Sequence, residues 1–66
     1  MAKEQQIRTG QIWRRKRNGR HIRIVGANTV HDDWRWEGHD YTGRGASYGC
    51  YIRRDCDLVE DAPTNP

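Results

Sequence analysis

The sequence predicts a small all-β domain of four to five short antiparallel strands, on the basis of three observations. First, Asn18-Gly19 lies between two segments rich in β-branched and aromatic residues, which is typical of a β-hairpin. Second, residues 32–37 alternate polar side chains with Trp34 and Trp36, so both tryptophans share one face of a strand. Third, glycine-containing turn segments separate the strand patterns, and no stretch carries the apolar stripe of a helix.

The chain is short and polar for an independent domain. A chain of 66 residues buries only about 60% of the surface that its unfolded form exposes. With 33% apolar residues and no Phe, the predicted core is small and depends on the three tryptophans. The sequence has no apolar run that could span a membrane and no signal-peptide pattern. We therefore expect a cytoplasmic protein in which Cys50 and Cys56 are reduced thiols.

Three sections are expected along the chain. Residues 1–9 are predicted to be a flexible leader that becomes ordered near Ile7, and residues 10–60 a single domain. Residues 61–66 contain two prolines and are predicted to form a disordered tail.

Residues 11–25 are predicted to form a basic β-hairpin that turns at Asn18-Gly19. This dipeptide suits the two-residue loop of a type I′ turn. With that loop, Arg14 lies opposite Arg23 in the neighbouring strand. Like charges directly opposite each other are unfavourable unless an anion is near, so the predicted register favours an anionic ligand.

The two faces of the predicted hairpin differ, because successive strand residues point to opposite sides of a sheet. The face toward the core carries three apolar residues and, near the tip, two arginines: Trp13, Ile22, Ile24, Arg15 and Arg17. The other face is mainly cationic, with two aliphatic residues at its base: Arg14, Lys16, His21, Arg23, Ile12 and Val25. A one-residue slip of the register would exchange the two faces.

Further strand segments follow the hairpin. Residues 32–37 are predicted to be the third strand, and residues 38–46, with three glycines, a flexible loop. Alternation over residues 47–53 predicts a fourth strand, with Tyr48, Cys50 and Ile52 on one face. Residues 54–57 have turn chemistry, and residues 58–60 are suited to a short closing strand.

A recognisable order of features runs through residues 10–60. Gly-Gln-Ile-Trp comes first, followed by the charged hairpin with Ile-Arg-Ile-Val, a tryptophan-bearing strand and a final Leu-Val. This order resembles that of the small SH3-like barrels, including short uncharacterised proteins of actinobacteria and their phages. The resemblance implies a small SH3-like β-barrel that binds nucleic acid, peptides or other proteins, and barrel closure would remove exposed sheet edges.

Charge is distributed unevenly along the chain. Residues 1–30 hold eight Lys and Arg against one Glu, a net charge of +7, whereas residues 31–66 hold four Arg against eight Asp and Glu, a net charge of −4. This polarity points to a partner surface of high charge. The alternative is that the two halves fold together and neutralise each other.

The basic hairpin is the first candidate site. Six cationic or titratable residues lie within this short ribbon: Arg14, Lys16, Arg17, Arg20, His21 and Arg23. A two-stranded ribbon fits a DNA major groove, and each neutralised phosphate releases counterions, which makes affinity depend on salt. The alternative is a solvated hairpin whose cations pair with the acidic half of the chain.

Aromatic residues supply a second candidate site. Tyr41 lies in the glycine-rich segment and is expected to be the most accessible aromatic residue, with Arg35 and Arg44 able to contact phosphates beside it. The tryptophans are expected mostly in the core, because the chain has no Phe.

Metal binding and catalysis are not favoured. The His and Cys residues do not occur at the close paired spacings of metal ligands, so neither a metal nor another cofactor is expected. Cys50, His39 and Asp40 match no known catalytic signature. We also expect a domain this small to have little room for a cavity of roughly a few hundred Å³, and hence no small-molecule substrate.

The sequence therefore favours a non-enzymatic module that binds DNA or RNA through phosphate contacts of the hairpin. The alternative is an adaptor or inhibitor that docks on an acidic protein surface, such as a phage protein acting on a host factor. A third hypothesis is that the domain is one subunit of a larger assembly. The deciding observation is whether the cationic face is open or folded against four acidic residues: Asp32, Asp33, Glu37 and Asp40.

Overall fold

The structure, a computed structural model, describes residues 6–62. Its elements, in chain order, are β1 (Ile12–Arg15), β2 (His21–Ala27), β3 (Asp33–Gly38), β4 (Arg44–Tyr48), α1 (Gly49–Asp55) and β5 (Cys56–Glu60). The strands form one antiparallel sheet in the order β4-β3-β2-β1-β5. The predicted all-β class with four to five antiparallel strands is confirmed. The sheet is nevertheless open, because β4 and β5 are its two edges rather than hydrogen-bonded neighbours.

The core lies against one side of the sheet. Its buried residues come from the segment before β1, from alternate positions of β1 and β2, from α1 and from the start of β5: Ile7, Trp13, Ile22, Ile24, Ile52 and Cys56. Trp34, Trp36, Tyr41 and Leu58 pack around this cluster and are partly buried. Fully burying one such aliphatic side chain contributes about 1.5–3 kcal/mol, so this small set provides most of the driving force for folding.

The hairpin register differs from the predicted one by two residues. Trp13 lies opposite Ile22 and Arg14 opposite His21, so the predicted Arg14–Arg23 pairing is wrong. The loop contains the four residues 16–19, because the Arg15 N–H donates to the Arg20 carbonyl at 2.8 Å. A shift of two residues preserves the alternation of faces, so the predicted division of the hairpin into a core face and a cationic face is retained.

Turn chemistry explains the longer loop. A type I′ turn needs positive φ at both Asn18 and Gly19, but Gly19 alone adopts it, with φ of 74°. The Gly19 N–H donates to the Arg15 carbonyl at 2.8 Å, and the Asn18 side-chain oxygen accepts the Arg20 N–H at 2.9 Å. Asn18 therefore acts through its side chain rather than through a left-handed backbone.

The predicted strand over residues 47–53 is wrong, because β4 ends at Tyr48 and the chain then forms α1. Gly49 and Ile52 are three residues apart and are the buried residues of this helix. The Gly49 N–H donates to the Asp32 carbonyl at 2.7 Å, and a Cβ atom at residue 49 would overlap the Asp32 carboxylate. The absence of a side chain at Gly49 thus lets the helix begin against the turn before β3.

Segment boundaries elsewhere differ in smaller ways. Four of the nine residues of the predicted glycine loop lie in strands, since β3 extends to Gly38 and β4 begins at Arg44. Residues 54–57, predicted as a turn, contain the end of α1 and the start of β5. Ile7, from the predicted leader, is buried in the core. The predictions for residues 1–5 and 63–66 lie outside the described residues.

A buried glutamine joins the two ends of the described chain. The Gln11 side-chain oxygen accepts the Arg8 N–H at 2.8 Å and the Trp13 indole N–H at 3.0 Å. Its amide nitrogen donates to the Gln6 carbonyl at 3.0 Å and to the Asp61 carboxylate at 2.8 Å. All four hydrogen-bonding positions of the amide are used, which makes complete burial of this polar side chain acceptable.

Candidate functional site

Four basic side chains of the hairpin, Arg14, Lys16, His21 and Arg23, are called the outer cations here. Each of them lies within ion-pairing distance of a carboxylate. The cationic face predicted from the sequence is therefore neutralised by acidic residues from the second half of the chain.

Asp57 serves two of the outer cations. Pairing of β5 with β1 places Asp57 opposite Arg14, and the carboxylate lies 3.8 Å from the guanidinium of Arg14. It also lies 3.8 Å from the amine of Lys16, which donates to the Arg54 carbonyl at 3.2 Å. One acidic residue of the closing strand thus holds both cations on this side of the hairpin.

The other two outer cations pair with residues of β3 and the bend after it. Arg23 lies opposite Glu37, and their side chains form an ion pair at 2.5 Å. His21 Nδ1 lies 2.8 Å from the Asp40 carboxylate, which also accepts the His21 backbone N–H at 3.1 Å. These hydrogen bonds from His21 hold the pKa of Asp40 below its ordinary value.

Three other arginines, Arg15, Arg17 and Arg20, are called the tip cations. Within residues 6–62 none of them forms an ion pair with a carboxylate. Two of them lie on aromatic rings instead. The guanidinium of Arg15 is 4.4 Å from the ring centre of Trp36, and that of Arg20 is 5.0 Å from the ring centre of Tyr41. Arg17 is exposed in the loop.

A cavity of about 440 Å³, called the tip cavity, lies beside the hairpin tip on the core side of the sheet. Every strand and the helix contribute to its lining: Arg15, Lys16, Arg17, Ile22, Trp36, Ser47, Tyr51, Ile52, Arg54, Asp55 and Cys56. Core residues form its apolar floor, and basic and aromatic side chains form its walls. The expectation that so small a domain lacks a cavity of this size is wrong.

Arg15 is the most unusual residue of this lining. Alternation along β1 places it on the core face, opposite Cys56 of β5, where it is partly buried. Its Nε is buried and has no hydrogen-bond partner among residues 6–62. A buried donor left unsatisfied costs about 1–3 kcal/mol. Because Nε has almost no accessible surface, a ligand acceptor reaches it only after the Arg15 side chain shifts.

Trp36 is the aromatic residue against which the Arg15 guanidinium packs. Its indole N–H donates to the Ser47 hydroxyl at 3.2 Å. Gly45 lies opposite Trp36 in β4, and a Cβ atom at residue 45 would come within 2.7 Å of the Trp36 ring. The ring therefore occupies the space that a side chain at residue 45 would need, and this fixes the surface on which Arg15 stacks.

The helix contributes the opposite wall of the tip cavity. Tyr51 is 47% exposed, and the guanidinium of Arg54 lies 4.8 Å from its ring centre. Arg54 also donates two hydrogen bonds to Asp55, at 2.9 and 3.1 Å. These bonds hold the pKa of Asp55 below its ordinary value, and they leave the charge of Arg54 balanced.

The structure does not bring all the predicted site residues together. Arg35 and Arg44 line a second cavity, of about 500 Å³, which shares Trp36 with the tip cavity. Tyr41 is partly buried against the core, whereas Tyr48 and Tyr51 are exposed, so the expectation that Tyr41 is the most accessible aromatic residue is wrong. Of the predicted set, Arg17 and Arg20 lie at the tip without an acidic partner.

Sequence reasoning missed Arg15, Ser47 and Arg54 as site residues. The position of Arg15 was detectable, because strand alternation already placed this arginine on the apolar face of the hairpin. Arg54 gave no such signal, because it reaches the tip cavity through the unexpected helix, and Ser47 gave none, because its place depends on the pairing of β4 with β3.

The described residues offer no metal centre: residues 6–62 contain no group of three His, Cys, Asp or Glu side chains suited to holding an ion. Cys50 and Cys56 are free thiols. Burial raises the pKa of the Cys56 thiol above its ordinary value, which makes it a poor nucleophile at neutral pH.

Comparison with protein-family models, curated proteins and solved structures gives no match for this chain. Within residues 6–62, no helix has the length and apolar character needed to cross a bilayer.

Proposed function

We propose that the protein is a non-enzymatic module that binds nucleic acid, DNA or RNA, through the tip of its hairpin. The observation that carries this proposal is the contrast between the tip cations, which have no carboxylate partner in residues 6–62, and the outer cations, which all have one. Phosphate contacts are assigned to Arg15, Arg17 and Arg20.

Arginine is well suited to this role. Its planar guanidinium offers several donors in a fixed arrangement that matches phosphate oxygens, and it is less strongly hydrated than the ammonium group of lysine. Arg15 and Arg20 are also held by aromatic rings, which limits the side-chain entropy lost on binding. The three arginines lie close together, because Arg15 ends β1, Arg17 lies in the loop and Arg20 pairs with Arg15 just before β2, which favours contact with successive phosphates.

We also propose that the open sheet belongs to a small SH3-like barrel. Three features support this: the consecutive antiparallel strands β1 to β4, the return of β5 to pair with β1, and the short helix between β4 and β5. The register shift in β2 between Ile24 and Gly26 bends the strand, as barrels require. A cytoplasmic setting, in which both cysteines stay reduced, is part of the proposal.

The proposal is tested by titrating labelled single-stranded and duplex oligonucleotides at rising salt. Three phosphate contacts predict that the logarithm of the association constant falls with the logarithm of salt concentration with a slope of about −2 on single strands. Absence of binding at low salt, or binding that ignores salt, contradicts the proposal.

A matched pair of variants separates position from total charge. Arg17→Glu and Arg8→Glu change the net charge equally, and both arginines are exposed, but Arg8 lies before β1 at the opposite end of the hairpin. Arg17→Glu should weaken binding by about tenfold or more, the range of one charge-assisted hydrogen bond. Arg8→Glu should have a clearly smaller effect. Equal losses would mean that binding follows net charge rather than the tip.

A second candidate function is docking on a protein partner, as an adaptor or an inhibitor such as a phage protein acting on a host factor. It is favoured by the open sheet, whose edge strand β5 exposes Val59 (54% exposed) and is available for pairing with an extended peptide. Retention of one stoichiometric protein from a nuclease-treated lysate, lost in the double variant Arg17→Glu/Arg20→Glu, would favour this function. Loss of all retained material on nuclease treatment would favour nucleic acid.

A further inference from the structure

We infer that the tip cavity holds one unpaired nucleotide of a single strand, with its phosphate on Arg15 and Arg17 and its base against Trp36 and Tyr51. This inference rests on the proposed function. It narrows the ligand from nucleic acid in general to strands that carry an unstacked base.

The size and lining of the cavity fit such a ligand. Its volume of about 440 Å³ lies within the range of about 300–1,000 Å³ found for small-molecule sites. Ile22 and Ile52 close the floor of the cavity but are only 1% and 2% exposed, so the apolar surface that a base can contact comes mainly from Trp36 and Tyr51. Ser47 adds a hydroxyl that can accept or donate a hydrogen bond.

The charges of the lining identify where the phosphate binds. Four basic side chains stand against one carboxylate, that of Asp55. Lys16 and Arg54 already hold Asp57 and Asp55, respectively. Arg15 and Arg17 therefore supply the available positive charge, and the buried Nε of Arg15 lacks an acceptor among residues 6–62.

The aromatic residues of the lining favour a base over a simple anion. Trp36, whose ring centre lies 4.4 Å from the guanidinium of Arg15, and Tyr51 both line the cavity, and aromatic side chains are the surfaces on which unpaired bases pack. Tyr51 offers a half-exposed ring on the other side of the cavity. A site for inorganic phosphate or for a peptide carboxylate needs neither surface.

A duplex cannot use this cavity in its paired form. Bases in a duplex are stacked and paired, and extruding one of them costs unstacking energy, whereas a single strand presents bases freely. The tip cavity therefore predicts a preference for single strands over duplexes of the same length, on top of the shared phosphate contacts.

The experiment uses the full chain, a fluorescein-labelled oligothymidylate, the same strand with abasic sites in place of its bases, and a duplex. Tyr51→Ala removes one wall of the cavity. Tyr48→Ala is the matched control, because Tyr48 is equally exposed and pairs with Tyr51, but does not line the cavity. Circular dichroism and thermal melting establish that both variants fold.

Tyr51→Ala should weaken binding to the intact single strand by about 5- to 150-fold, the range for loss of one base–aromatic stack, and should leave duplex binding unchanged. Tyr48→Ala should change neither by more than about twofold. Equal effects of the two variants, or equal affinity of the wild type for intact and abasic strands, would overturn the inference while leaving the proposed function intact. Failure to bind any of the three nucleic acids would overturn the proposed function itself.

A second variant keeps the inference testable if Tyr51→Ala does not fold. Tyr51→Leu keeps an apolar side chain at this position but removes the ring against which the base packs. It should retain binding to the abasic strand and lose most of the preference for the intact one. A preference that survives in Tyr51→Leu, or tighter binding of a peptide with a free carboxylate than of the oligothymidylate, would contradict the assignment.

Discussion

Arg14 and Arg15 are neighbours in β1, yet they end in opposite environments. Arg14 points away from the core and meets Asp57 of the adjacent strand. Arg15 points to the core side, stacks on Trp36 and has no carboxylate partner in residues 6–62. The same contrast separates the outer cations from the tip cations as groups. Within β1, strand alternation determines which of the two charges remains available; in the loop, the contact of Lys16 with Asp57 separates it from the exposed Arg17.

Stability is not the main effect of the outer ion pairs. Exposed pairs of this kind contribute about 0–1 kcal/mol each, because solvent screens them. Their larger consequence is electrostatic, since they neutralise one face of the hairpin, whereas the tip cations have no carboxylate partner within residues 6–62. The proposed phosphate contacts therefore lie at the tip rather than on the outer face.

The largest expected effect comes from removing each group of charges in turn. The triple variant Arg15→Gln, Arg17→Gln, Arg20→Gln should lose about 100-fold or more in affinity for a single strand, because three charge-assisted hydrogen bonds disappear. The matched triple variant Arg14→Gln, Lys16→Gln, Arg23→Gln removes the same charge and should lose about tenfold or less. Anisotropy titrations at one low salt concentration measure both. Similar losses of affinity in the two triple variants would contradict the assignment of phosphate contacts to the tip cations.

A substitution beneath Trp36 tests the support of the tip without changing any charge. In Gly45→Ala the new methyl group meets the Trp36 ring, which should destabilise the protein by about 1–3 kcal/mol and displace the surface under Arg15. Urea unfolding measures the first effect and strand binding the second. Gly26→Ala is the control, because its methyl group meets only the movable end of Arg35, at 3.1 Å. Comparable destabilisation by both would show that Trp36 adjusts freely.

Removing the carboxylate partner of two outer cations should have a smaller effect on the affinity for nucleic acid. Asp57→Asn removes the carboxylate shared by Arg14 and Lys16 and should raise affinity at low salt by about two- to fivefold, an increase that screening abolishes at high salt. Glu60→Gln changes the net charge equally on the same strand, and Glu60 forms no ion pair within residues 6–62. It should raise affinity less. An equal rise in both variants would trace the effect to net charge.

The smallest expected effect is the change in stability with acidification that comes from the outer face of the hairpin. The pKa of Asp40 is lowered in the folded state, so its contribution to stability is present at neutral pH and is lost as the pH falls below about 4 through that lowered pKa. The melting temperature of Asp40→Asn should therefore fall less steeply with acidification than that of the wild type. A parallel decline in both proteins would show that the His21–Asp40 contact does not contribute.

The hairpin was predictable from the sequence, but its register was not. Asn18-Gly19 indicated the position of the turn correctly, and alternation assigned Trp13 to the core, where it is 2% exposed. The two-residue error arose because Asn18 caps the Arg20 N–H with its side chain, which stabilises a longer loop than the dipeptide suggests. Local sequence does not decide between these loops, because both satisfy the same alternation.

The helix and the tip cavity depend on contacts between distant segments. Residues 47–53 alternate as a strand does, but the chain leaves β4 after Tyr48 and forms a helix that packs Gly49 against Asp32 and buries Ile52. Tyr51 and Arg54 reach the tip cavity because of that helix, and Ser47 because β4 pairs with β3, so no local pattern could have placed them beside the hairpin. Arg15 differs from them, because its position on the apolar face was visible in the alternation and its importance was not.

The hydrogen bonds of Gln11 have a practical consequence for engineering. They bring residues 6 and 61 together at the base of the hairpin, at the opposite end of β1 from the tip. A surface linker or a fluorescent label attached at residue 6 or residue 61 would therefore lie on the side away from the tip cavity. The same proximity makes the domain suitable for insertion into a loop of another protein, which would display the hairpin tip outward.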